Sequence, residues 1–70
     1  MSEGRIAGSR LLIAGENISA GDSVVESLID GKAYIAGPVA GEYVGNAEEN
    51  IREGFRVSVT PSGEVREDDA

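Results

Sequence analysis

Cysteine, histidine and tryptophan are absent from this chain, lysine occurs once, and three aromatic residues are all it has. Each shortage excludes something. Without cysteine there is no disulfide to staple a small fold, and without cysteine or histidine a metal site shrinks to carboxylates for hard cations such as Ca²⁺ or Mg²⁺. The same gap removes Ser-His and Cys-His pairs, imidazole ligands and reactive thiols, so neither an enzyme nor a cofactor is expected. No apolar run approaches the roughly 18 residues of a membrane span, and the N-terminus lacks the basic-then-apolar order of a signal peptide. A soluble chain without a membrane partner is the expectation.

What is present is acidic. Thirteen Asp and Glu stand against six Lys and Arg in seventy residues, a formal charge of -7. Such a surface repels phosphates, and with Lys32 as the one lysine no nucleic acid partner is expected. A single domain of this size buries only about 60% of the surface its unfolded chain exposes, so a lone core is marginal. Self-association is therefore expected. Five of the six bases are arginine, a balance resembling proteins that stay soluble in concentrated salt, where a Debye length of about 3 Å mutes self-repulsion. Glu outnumbers Asp nine to four, which leaves a plain acidic surface as the other reading.

Ten glycines are spread through the chain and separate short apolar runs, the pattern of strands and turns. Strands are expected at residues 10–14 (RLLIA), 23–29 (SVVESLI), 32–36 (KAYIA), 42–44, 55–60 (FRVSVT) and 64–66. Asp30-Gly31 reads as a two-residue hairpin turn. Gly37-Pro38 breaks the third strand, because proline cannot donate to a ladder, and Gly45-Asn46 stops the fourth. Phe55, Val57 and Val59 fall on one face of the fifth, opposite Arg56, Ser58 and Thr60. At most one short helix or 3₁₀ turn is expected, within residues 47–53. Residues 1–9 read as a flexible arm, residues 67–70 as an acidic tail, and residues 10–66 as one β-rich domain.

A repeat offset by 33 residues organises that domain. Glu16-Asn17-Ile18-Ser19-Ala20-Gly21-Asp22-Ser23-Val24 lines up with Glu49-Asn50-Ile51-Arg52-Glu53-Gly54-Phe55-Arg56-Val57, sharing Glu, Asn, Ile, Gly and Val. Asn17 and Asn50 can start turns by bonding nearby backbone, Ile18 and Ile51 plug the core, and Gly21 and Gly54 supply a positive φ. A unit of this kind cannot cover its own apolar face. Two related by a pseudo-two-fold can close into a small all-β barrel or β-clip-like domain.

Little chemistry remains. Glu48-Glu49 and Asp68-Asp69 are adjacent carboxylate pairs of the sort usually solvated, and a cation site from Asp22, Glu16 or Glu49 has no EF-hand spacing. Residues 37–41 (GPVAG) lack the Lys-Ser/Thr of a phosphate loop and read as a turn. Tyr34, Tyr43 and Phe55 can anchor interfaces, with Phe55 expected in the core.

The order of segments resembles small tailed-virus head decoration, or cement, proteins. The likeness covers residues 10 to 60 and rests on Ile18-Ser19-Ala20-Gly21-Asp22-Ser23-Val24, Asp30-Gly31-Lys32, the Ala/Gly/Pro stretch at 36–41, Val44-Gly45, Ile51-Arg52-Glu53-Gly54 and the alternating strand 55–60. The resemblance implies a barrel- or clip-like structural protein on the outer surface of a virion, partnered by the major capsid protein and by itself as a homotrimer, with no catalytic residue and no cofactor. Acidity and low lysine depart from that pattern and fit a virus of a halophilic host. Looser likenesses are to β-clip modules that carry an I-x-x-G-D/E-x-V loop inside sugar-acid enzymes, hence a non-catalytic binding module with an enzyme or carbohydrate partner, and to short swapped-hairpin regulators.

On this reading Leu11, Ile13, Val25 and Ile29 are the apolar edges covered by sister protomers. Arg5, Ile6 and Arg10 are the capsid contacts, the arm adding a strand to a capsid sheet edge. Linked copies of one weak contact then gain effective concentration.

Overall fold

The apolar runs between glycine turns form six strands: β1 (Arg10–Ile13), β2 (Ser23–Ser27), β3 (Ala33–Ile35), β4 (Gly41–Ala47), β5 (Arg56–Val59) and β6 (Glu64–Glu67). They belong to a computed structural model whose described residues are 10–68. The fold is all-β, with one six-stranded sheet in the order β1-β5-β6-β4-β2-β3. Residues 47–53 hold no helix: Ala47 closes β4 and Ile51 forms an isolated bridge. β4 also runs straight through Gly45 and Asn46, which the sequence reading had as its stop. The reason is a close approach. A Cβ at Gly45 would sit inside van der Waals distance of the Gly63 carbonyl, so glycine here admits a neighbouring chain and does not turn its own.

The 33-residue repeat is a structural one. Each half contributes three strands, and β1, β2 and β3 correspond to β4, β5 and β6. The halves interlock because β1 pairs with β5 and β4 with β2, both antiparallel, while each half keeps its own hairpin, β2 with β3 and β5 with β6. Ile18 and Ile51 face each other at the centre and exchange both backbone hydrogen bonds, at 2.8 and 2.7 Å. Equivalent residues opposed in an antiparallel bridge define a local two-fold, and the surrounding bonds obey it. Gly54 N–H donates to Ala14 O and Gly21 N–H to Ala47 O, both at 2.8 Å. Asn17 Oδ1 accepts from Glu53 N–H at 2.8 Å, and Asn50 Oδ1 from Ala20 N–H at 3.0 Å. Gly21 and Gly54 hold the left-handed φ values of 93° and 88° that these loops need.

The core follows the same symmetry. Ala14, Ile18, Val24 and Ala33 are buried beside Ala47, Ile51, Val57 and Val65, and Val59 completes the cluster. Ser27 and its counterpart Thr60 are buried polar residues closing the two hairpins. Two sequence expectations fail here. Phe55 lies in the bend before β5 and is 37% exposed, because the strand and its alternation start at Arg56. Val25 is 6% exposed within its own chain, because it packs against the side-chain-free Gly41 across the β2–β4 pair.

Candidate interaction surface

The two halves share a backbone plan and present different chemistry. In the first half the β2–β3 turn spans four residues, closed by Ser27 N–H donating to Lys32 O at 2.8 Å. Its geometry is pinned by side chains. Ser27 Oγ accepts from Ile29 N–H at 3.0 Å, and Asp30 accepts from Lys32 N–H at 2.9 Å and from the Tyr34 hydroxyl at 2.7 Å. These bonds hold the Asp30 carboxyl below its ordinary range, the Lys32 amide first, and raise Tyr34 above its own. The expected two-residue Asp30-Gly31 turn is thus a longer one, and its outer residues are Leu28 and Ile29, exposed to 75% and 89%. A turn rigidly fixed by polar side chains holds two large apolar groups in water.

In the second half the equivalent turn is three residues long, with Thr60 N–H donating to Glu64 O at 2.9 Å and Thr60 Oγ1 accepting from Glu64 N–H at 3.1 Å. Its tip is Pro61 and Ser62. The apolar group of this half sits elsewhere: Phe55 takes the place of Asp22, and the Arg52 guanidinium lies 4.0 Å over its ring where the first half has Ser19. Gly54, Phe55, Arg56 and Asp68 line a shallow, open depression there. Arg52 is also gripped by Glu67, at 3.2 and 3.0 Å, with Glu67 accepting from the Arg52 N–H as well; these bonds lower the Glu67 carboxyl.

The seams differ too. β4 and β6 run parallel, with Asn46 N–H donating to Gly63 O and Glu48 N–H to Val65 O, both at 2.9 Å. The matching strands β1 and β3 meet only at the bridge of Ala14 with Ala33, where Gly15 N–H donates to Ala33 O at 2.8 Å. Leu12 stands where β4 has Gly45, so the first half has a side chain at the position that the second half keeps empty for the turn.

The carboxylates are occupied with backbone. Glu16 accepts from Ile35 N–H at 2.8 Å, its counterpart Glu49 from Glu67 N–H at 2.9 Å, and Asp22 from Ser19 N–H at 3.0 Å. These three sit on separate amides, and no cluster of three potential metal ligands occurs among the described residues. Glu48 pairs with Arg66 at 2.7 Å, which raises the arginine. Glu67, expected in the tail, is the last residue of β6.

Of the residues singled out from the sequence, the structure brings Asn17, Ile18, Gly21, Asn50, Ile51 and Gly54 together at the pseudo-two-fold. Leu11 and Ile13 are 36% and 39% exposed on β1, and Arg10 at its start donates to Glu26 of β2. Arg5 and Ile6, with the rest of the arm, lie outside the described residues. Leu28 was missed as a site residue because a continuous apolar run hid the turn inside it. No family model matches the chain, and neither does any curated protein or solved structure.

Proposed function

We propose that this chain is a structural protein of a virion, a cement protein that binds the outer surface of an icosahedral head and strengthens contacts between capsid subunits. The observation that carries the reading is the pinned turn displaying Leu28 and Ile29, more exposed than any other large apolar residues described. Their burial against a sister protomer assembles a ring, taken from the resemblance to be a trimer, and the ring offers several copies of one weak contact to the shell. The order of motifs over residues 10 to 60 supports the shell as partner. The depression at Phe55 supports the sugar-binding alternative less well, since Arg52 covers one face of the ring that a sugar would stack on.

The test is decoration of expanded heads of the virus that encodes the chain. The wild type sediments as an oligomer and binds heads. The double variant Leu28→Ser, Ile29→Ser keeps the strand content of the wild type, melts at a lower temperature because assembly no longer stabilises the folded chain, runs as a monomer and loses roughly ten-fold or more in occupancy. A monomeric wild type that ignores the heads ends the proposal.

A further inference from the structure

The apolar groups that the pseudo-two-fold leaves unmatched form a projection in one half and a hollow in the other. The projection is the Leu28, Ile29 tip, stiffened by the bonds to Ser27 and Asp30. Its counterpart, Pro61 and Ser62, has no large apolar group to match it. The hollow is the depression lined by Gly54, Phe55, Arg56 and Asp68, about 320 Å³ in volume and open on one side. Gly54 keeps it clear, since a Cβ there would meet no atom within 4 Å. Ile13 stands directly across from Arg56 in the β1–β5 pair, and opposite residues share a face, so a half-exposed aliphatic side chain borders the depression. The equivalent place in the first half is Gly21, Asp22 and Ser23, where no ring stands. Among the described residues, tip and depression each occur once.

Charge and shape select what meets what. Copies of a chain with net charge -7 repel one another, least where their local charges cancel. Both places satisfy that condition. Around the depression Arg52 pairs with Glu67, Arg56 and Asp68 line it together, and Glu53 lies toward Tyr34. At the tip Asp30 stands against Lys32, and Glu26 behind them is held by Arg10. Two tips pressed together are convex on convex, touch over little area and leave Phe55 in water. A depression this open encloses too little of a small ligand to hold it, yet admits the end of a turn.

We infer that the Phe55 depression is the seat for the Leu28, Ile29 tip of another copy of this chain. The two surfaces differ, so the contact is head-to-tail, and such contacts repeated about an axis close a ring. Leu28 and Ile29 cover Phe55 and Ile13 at its centre, and the charged groups make its rim. The inference rests on the proposal that the tip is buried against a sister protomer, and it names the surface that receives the tip. Nothing in it depends on the capsid.

The experiment mixes two full-length variants, one without the tip, Leu28→Ser with Ile29→Ser, and one without the ring, Phe55→Ser. Each sediments as a monomer by itself. An equimolar mixture sediments as a one-to-one pair, because one variant keeps the depression and the other keeps the tip. A Phe55→Ser chain that stays oligomeric, or a mixture that stays monomeric, overturns the inference. Phe55 also supports Arg52, so a second readout leaves the ring in place. The natural chain has no cysteine, and Ile29→Cys chains mixed with Asp68→Cys chains cross-link into a mixed dimer on mild oxidation. Ile29→Cys chains that cross-link with one another instead show tip meeting tip and overturn the inference as well. A one-to-one pair from variants whose wild type leaves heads undecorated sinks the virion reading alone. Decorated heads with Phe55→Ser still oligomeric sink the tip-and-seat contact alone.

Discussion

The two halves of this chain have nearly the same hydrogen bonds and opposite surfaces. Around the Ile18 and Ile51 bridge every donor in one half has its counterpart in the other, while the hairpin tips carry Leu28 and Ile29 in one and Pro61 and Ser62 in the other. The lesson is a division of labour. Residues that close the loops are tied to the pseudo-two-fold and repeat; residues on tips, bends and the open seam are released from it and diverge. Function is therefore sought where the halves disagree.

The sharpest test exchanges one seam for the other. Gly45→Leu drives a side chain into the Gly63 carbonyl, severs β4 from β6 and abolishes cooperative melting. The reciprocal Leu12→Gly removes a partly buried side chain and costs about 1–3 kcal/mol with the fold retained. Equal effects in thermal melts would mean that the seams do not differ. Next in size are the central plugs. Ile18→Ala and Ile51→Ala each cost about 2–5 kcal/mol, and the two values agree, since both side chains are fully buried against one another's half. Urea titrations with values far apart would break the symmetry.

Smaller still are the loop amides. Asn17→Ala and Asn50→Ala each leave one backbone N–H of the other half without its acceptor, a cost of about 1 kcal/mol apiece in the same titrations. Acid has the least effect and separates the halves by location. Asp30 and Glu67 both have lowered folded pKa values, so what they contribute is present above their unfolded values, 3.8 and 4.5, and is lost as pH falls through the folded ones. As pH falls below those unfolded values and through the folded ones, the Lys32 amide loosens in the first half and the Arg52 amide in the second, which amide shifts across a pH titration follow. Movement of both amides between pH 7 and 5 would contradict this assignment.

Much of the fold was legible because its signals are local. Glu-Asn-Ile-x-x-Gly could be read as a turn-forming unit at both sites, since an Asn that bonds backbone, a core Ile and a left-handed Gly act within a few residues. All six strands fall where short apolar runs alternate with glycine. The failures are equally physical. The run SVVESLI gives no mark of where a buried strand becomes an exposed tip, so the strand was carried on to Ile29, Leu28 passed over and Val25 placed outside. Phe55 continues an alternation whose strand begins one residue later, and Gly45 looks like any other breaker.

Composition and the repeat alone determined an all-β chain built of two like units, without thiol or imidazole chemistry. They did so because turn formation and strand alternation are decided by neighbours in the chain. Which half's strand pairs with which, why Val25 is covered, and why one seam is a parallel strand pair and the other a single bridge were decided by the interlocking of the halves. Those outcomes depend on contacts between residues some thirty positions apart, whose partners no local pattern names.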